Sequence, residues 1–289
     1  MPDTPVSLLG GRPPRPPGKS RVPGDLHSAE LHSGRRARGR RHTARFALFL
    51  LASGTLAGCG GSSSGALTVL AGSSLTDVSK ELASSYEQSH RGVKVNFELG
   101  GSQEMTGRLD EHDAGDVLMT ADEPTMDAAA RYLTGPRRIV ALGSMTIAVT
   151  PGNPKRILGL SDLTRPRLRV AVGAATNPAG RYARDIFRRA GLTVHWSSEE
   201  ISVRGVLDRV RTGEADAGLV YITDLRSAPA AVGSVPIPAA QNVTATFPAQ
   251  AIKGGNEKRA RSFVDWLVSS DARKLFNKYG FATPAEGQA

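Results

Sequence analysis

The stretch VLAGSSLTDVSKELASSYEQ, residues 69–88, opens as an apolar run, loosens at Ala71-Gly72 and sets Ser73 and Ser74 directly before a helical pattern. Leu75, Val78, Leu82 and Tyr86 fall at i, i+3, i+7 and i+11, a spacing that puts them on one face of a helix. A strand that passes into a helix through two small hydroxyl residues is half of a β–α unit. The fold depends on whether that handover recurs.

It recurs three times. ELGGSQEMTGRL (98–109) follows an apolar run with two glycines and then Ser102. TNPAGRYARDIF (176–187) breaks at Thr176-Asn177-Pro178 and opens a helix at Ala179-Gly180. EEISVRGVLDRV (199–210) sets Ser202-Val203 ahead of Gly205-Val206-Leu207. Over the rest of the chain, strand patterns are predicted at 67–71, 93–97, 116–121, 145–149, 168–172, 215–221 and 246–252. Helical patterns are predicted at 75–89, 103–112, 123–133, 180–190, 204–212, 256–268 and 270–278, with Asn256 as the cap of the sixth. Alternation of this kind argues for a doubly wound, mostly parallel α/β architecture.

The chain has 289 residues, enough for one or two domains with a sizeable core, and a formal charge of +10. That charge lies in a tail. Residues 1–58 hold ten Lys/Arg and three Asp/Glu, leaving 27 basic and 24 acidic residues in 59–289. The nearly balanced body gives no basic groove for nucleic acid. Residues 1–34, rich in Pro, Gly and Arg, read as disordered. GRRARGRRHTARF, FALFLLASGTLAG and LAGC (56–59) then form a cationic run, a short apolar run and small residues before the one cysteine. The apolar run is shorter than the ~20 residues of a bilayer span. The whole resembles a bacterial lipoprotein signal, which implies acylation of Cys59 and a lipid anchor on the extracytoplasmic face of the cell membrane. GGSSSG (60–65) reads as a flexible tether. Its Gly61-x-Ser63-x-Gly65 pattern lacks the strand and helix that a nucleophile elbow needs.

Each of the four turns leaves backbone N–H groups without helical partners at a helix start, where the macrodipole contributes roughly half a positive charge. Small residues let an anion approach those groups. In open α/β sheets ligands bind at the carboxyl ends of strands, where these turns lie. Taken singly, each turn reads first as a capped helix, and only the four together bring the anion reading level with it. Of the histidines past the tail, His90, His112 and His195 are scattered, with no metal or triad spacing. Asp116 and Asp122 flank a strand and read as a cap and a turn rather than a catalytic pair. There is no Gly-x4-Gly-Lys-Ser/Thr phosphate loop. An enzyme is therefore not expected.

Residues 66–284 resemble the molybdate-binding proteins of bacterial ABC importers. The resemblance is carried by LAGSSLTDV, FELGGSQEMTGRL, GDVLMTADEPTMD, NPAGRYARDIF, SVRGVLDRV, GLVYITD and LFNKYGF, in that order. It implies a two-lobed α/β fold of the type II periplasmic-binding kind, each lobe a mostly parallel sheet flanked by helices, with two hinge crossovers. Lobe I would be 66–145 and 249–289, and lobe II 146–248; the crossovers are expected at 145–149 and 246–252. The implied ligand is molybdate or tungstate, held by the hydroxyls of Ser74, Ser102 and Tyr221 and the N–H groups of Ala179 and Val203. Molybdenum would be bound only as its oxyanion, with no direct metal ligand and no cofactor. In SSL the serine followed by Leu matches the family ligand, so Ser74 is taken for it and Ser73 for a cap. The implied partners are an ABC permease and its ATPase, touched transiently by a monomer; nucleic acid is not a partner. A site of donors without carboxylates suits a dianion that can only accept hydrogen bonds. Sulfate, phosphate or an organic anion is the alternative ligand class, although phosphate sites usually supply an acceptor for the ligand's own proton. A regulator's effector domain is the other alternative for this fold, but the signal and tether stand where a helix-turn-helix would be.

Overall fold

The computed structural model describes residues 65–111, 115–227 and 231–285. The expected signal, Cys59, most of the tether and His112 lie outside the described residues. The first β–α unit is β1 (Ala66–Gly72), a single 3-10 turn at Ser73–Leu75, and α1 (Thr76–Ser89). β2 (Lys94–Gly100) and α2 (Ser102–Asp110) repeat it, followed by β3 (Val117–Met119) and α3 (Glu123–Ala128). β4 (Leu133–Val149) leads to β5 (Val170–Gly173), α4 (Pro178–Arg189), β6 (Ser198–Glu200), α5 (Val203–Arg211) and β7 (Ala217–Tyr221). β8 (Gly233–Pro236), β9 (Thr244–Ile252), α6 (Glu257–Trp266) and α7 (Ser270–Lys278) complete the chain.

One continuous sheet carries the strands in the order β2-β1-β3-β9-β4-β7-β5-β6, with β8 also on β4. At one end β1 pairs in parallel with β2 and β3, and at the other β5 pairs in parallel with β6 and β7. The seam between them is antiparallel, because β9 runs against β3 and β4 and β4 runs against β7. The two lobes are these two parallel ends with their helices. β4 belongs to both: Leu133–Ser144 pairs with β9 and Met145–Val149 with β7. Helices cover both faces of β1, whose Leu67, Val69 and Ala71 pack in one core while Leu70 packs with Met105, Leu109 and Leu118 in another. A strand covered on both faces reads as a continuous apolar run, as 67–71 does.

Two expectations need correction. The helix expected over 123–133 stops at Ala128, passes through a 3-10 turn at Ala130–Tyr132 and gives way to β4. The strand expected at 145–149 is only the last third of β4. Gly135-Pro136 hides the first part: Gly135 takes φ +70°, and the register with β9 slips between Thr134 and Arg138. A bulge is where a strand tolerates Pro, so the sequence reads as a break while the backbone stays extended. The caps behave as expected. Asn256 accepts from Arg259 N–H at 3.1 Å. Asp122 accepts from Thr125 N–H at 3.0 Å, and Asp116 from Thr68 N–H at 2.7 Å, so both carboxylates hold local backbone.

Candidate functional site

Four helix starts converge between the two ends of the sheet. They are the 3-10 turn after β1, the start of α2 after β2, the start of α4 after β5, and the start of α5 after β6. Ser73, Ser74, Ser102 and Ala121 from one lobe, with Asn177, Pro178, Val203 and Tyr221 from the other, line a narrow chamber of about 10 Å³. A larger hollow of about 400 Å³ lies by Thr68, Asp116, Tyr132 and Lys253, at the amino ends of β1 and β3. Its volume does not make it the better anion site, because the Asp116 carboxylate faces it and the converging helix starts do not.

Ser74 Oγ and Tyr221 Oη are buried and have no hydrogen-bond partner among the described residues. An orphaned buried hydroxyl costs roughly 1–3 kcal/mol, so two in one chamber, from opposite lobes, mark a place that an acceptor would fill. Ser102 Oγ accepts from Ala121 N–H at 3.2 Å, which leaves its own hydrogen to donate. Gly72 lets these hydroxyls come together: a Cβ there would lie 2.7 Å from Ser102 Oγ and 3.7 Å from Ser74 Oγ. Val203 begins α5, where a backbone N–H has no partner inside the helix. Burial, reinforced by nearby Tyr182, Asp224 and Asp122, pushes the Tyr221 phenol well above its ordinary range. It is therefore a neutral donor near pH 7.

Four of the five expected residues thus meet in the chamber. The fifth, Ala179, lies just behind it, and its N–H donates to Asn177 Oδ1 at 2.8 Å. Asn177 fills the lining position instead; its Nδ2 donates to the Ile201 carbonyl at 2.7 Å. Ser73 is not a side-chain cap, because the 3-10 turn starts on it rather than after it. Ser73 lines the chamber, and its carbonyl accepts from Thr76 Oγ1 at 2.6 Å.

The sequence reading missed three charged groups around the chamber. Arg181 and Arg204 stand in the first turns of α4 and α5 and pair with Asp122 and Asp77 of the other lobe. Asp224, fully buried, accepts from Tyr221 N–H at 3.0 Å and so fixes the backbone that carries the phenol. Burial, opposed by Arg204, pushes its carboxyl up to about 7. None of the three lines the chamber. Helix signatures mark the first two only as surface residues, and no local pattern marks Asp224.

The chain matches the family described as bacterial extracellular solute-binding protein over residues 67–282. It is 35% identical over 221 residues to the molybdate-binding protein ModA of Mycobacterium tuberculosis, covering 75% of this chain and 85% of that one. Among solved structures it resembles the sulfate-binding protein SubI of M. tuberculosis, with TM-score 0.70 and 18% identity over 78% of this chain and 88% of that chain. It also resembles the Azotobacter vinelandii periplasmic molybdate-binding protein, with TM-score 0.65 and 18% identity over 76% of this chain and all of that one. At that identity the two structures speak for the fold alone.

Proposed function

The chain belongs to the bacterial extracellular solute-binding protein family, and from that premise we propose that it captures molybdate, or tungstate, between its lobes for an ABC importer. One observation carries the reading. Two buried, partnerless hydroxyls from opposite lobes face a small chamber with no carboxylate in its lining. Molybdate near neutral pH is a dianion whose oxygens only accept, so it matches a wall of donors. The proposed ligands are the hydroxyls of Ser74, Ser102 and Tyr221 and the N–H of Val203, with Ala179 N–H as a donor shared with Asn177. Each charge-assisted bond contributes roughly 1.5–3 kcal/mol, so a handful supports submicromolar binding after the cost of ordering. Residues 66–145 with 249–289 would make one lobe and 146–248 the other, turning about β4 and β9. Such a protein does no chemistry on its ligand, works as a monomer, and meets its permease and ATPase only transiently.

Calorimetry of the full chain with molybdate, tungstate, sulfate and phosphate tests the ligand. Tight binding of the first two and little of the others is expected. The first two share charge and nearly share size, so donor geometry hardly separates them. Sulfate bound as tightly as molybdate would transfer the reading to sulfate. No binding of any of the four by a normally folded chain would reduce the turns to helix caps.

Anchoring is proposed through acylated Cys59. Cys59→Ser is expected to move the protein from the membrane fraction to the soluble fraction or the medium. Unchanged fractionation would remove the anchor from the account.

A further inference from the structure

Arg181 and Arg204 sit where helices disfavour cations. Each lies in the first turn of its helix, α4 or α5, beside the positive end of the macrodipole. Each side chain turns off its helix and crosses to the other lobe. Arg181 Nε donates to Asp122 Oδ2 at 2.7 Å, its Nη2 donates to Thr125 Oγ1, and its Nη1 holds its own loop at the Thr176 carbonyl at 2.6 Å. Arg204 Nη2 donates to Asp77 Oδ2, and its Nε lies 3.3 Å from the Ser73 carbonyl and 3.4 Å from Asp224 Oδ1. The two crossings follow the two chamber turns, one from α4 to α3 and one from α5 to α1. Neither guanidinium lines the chamber.

We infer that Arg181 and Arg204 are positioning residues that latch the lobes shut on either side of the anion chamber and set how fast a bound anion leaves. The inference rests on the oxyanion-binding reading above. Both contacts join opposite ends of the sheet, so separating the lobes breaks both at once. The Arg204 bond to the Ser73 carbonyl also ties the turn that presents Ser74 to the closed arrangement. Because each cation is matched by a carboxylate, the charge offered to a dianion comes from hydroxyls and helix ends, and the arginines supply closure instead.

The size of the effect follows from exposure. Arg204 and Asp77 side chains are 21% and 24% exposed, between a solvent-screened pair and a buried one. Losing one partner of such a pair acts mainly on dissociation, by about tenfold. Two latches that share no partner should multiply to about a hundredfold.

The test chases radiolabelled molybdate from the full-length chain with unlabelled molybdate. Asp77→Asn should speed release about tenfold and Arg204→Gln at least as much, because it also gives up the Ser73 carbonyl, with association little changed, and their double variant should release no faster than Arg204→Gln alone. Arg181→Gln added to Arg204→Gln should multiply the effect. Unchanged release, or a full Asp77→Asn effect that persists in the Arg204→Gln background, would overturn the latch. If the Gln variants do not fold, Asp77→Asn removes the same contact from lobe I and stands in their place. A measurement without anion separates this inference from the ligand assignment. Spin labels at Lys80→Cys and Thr212→Cys, in a Cys59→Ser background, report the separation of the lobes. The Arg181→Gln/Arg204→Gln variant should lose short distances relative to its parent. Identical distributions would overturn the latch whatever the chain binds, whereas a wild-type chain that binds no molybdate but shows the expected shift would overturn only the ligand.

Discussion

Ser74→Asp is expected to abolish oxyanion binding, weakening it at least a thousandfold while the protein still folds. Ser74 is buried in the chamber wall, and its hydroxyl has no partner there. A carboxylate in its place would meet the dianion at contact distance. At an effective dielectric of about 20, a pair of unit charges 4 Å apart repels by ~4 kcal/mol, and a dianion doubles that. Protonating the new carboxyl is the cheaper route, and at pH 7 that costs ~4 kcal/mol from an ordinary value near 3.9. The cheaper route alone removes about three orders of magnitude, and the other about six. Ser74→Ala, which only deletes a donor, should cost roughly 1–3 kcal/mol, and Tyr221→Phe a similar or smaller amount. Calorimetry gives the affinities and thermal unfolding confirms the fold. A Ser74→Asp protein that binds molybdate like the wild type would remove Ser74 from the site.

Gly180→Ala is expected to damage fold and binding together. A Cβ at Gly180 would lie 2.0 Å from the Ala174 carbonyl oxygen and 2.2 Å from that of Gly173. Both obstacles are backbone, so no rotamer change relieves them, and the end of β5 must part from the start of α4. Overpacking of this kind costs typically 1–3 kcal/mol, and here it displaces Asn177 and Pro178, which line the chamber. The variant should unfold at a lower temperature, and its residual folded fraction should bind molybdate more than about tenfold more weakly, since a misplaced donor is no better than a missing one. Wild-type affinity and stability would mean that the close approach of α4 to β5 does not set the site.

How much of this was legible in the sequence follows from how local each signal is. Ser74 and Ser102 stand at handovers visible in ten residues, because the strand period gives way to a helical one there. Tyr221 ends a strand of buried residues, and only the resemblance gave its hydroxyl a use. β4 was misread because Gly135-Pro136 looks like an end of structure when it is a bulge within a strand. β6 and β8 are short and polar or Pro-bounded, too brief for a period to show. Asn177, absent from the expected set, lines the chamber because an asparagine at a cap turns its side chain onto the N–H of the next turn, here that of Ala179. Arg181 and Arg204 could not be found at all: their partners are 59 and 127 positions away, across the chamber. On a helix surface a solvated arginine and a latching one look the same.

The central claim is that an oxyanion sits between the lobes, against hydroxyls that otherwise lack partners. Anomalous diffraction at the molybdenum absorption edge, from crystals of the protein grown with molybdate, tests it most directly. The account predicts one strong peak between the two lobes, with oxygens in hydrogen-bond contact with Ser74 Oγ, Ser102 Oγ and Tyr221 Oη. A peak elsewhere, in the hollow beside Asp116 and Lys253 or on the surface, with those three hydroxyls untouched, would contradict it.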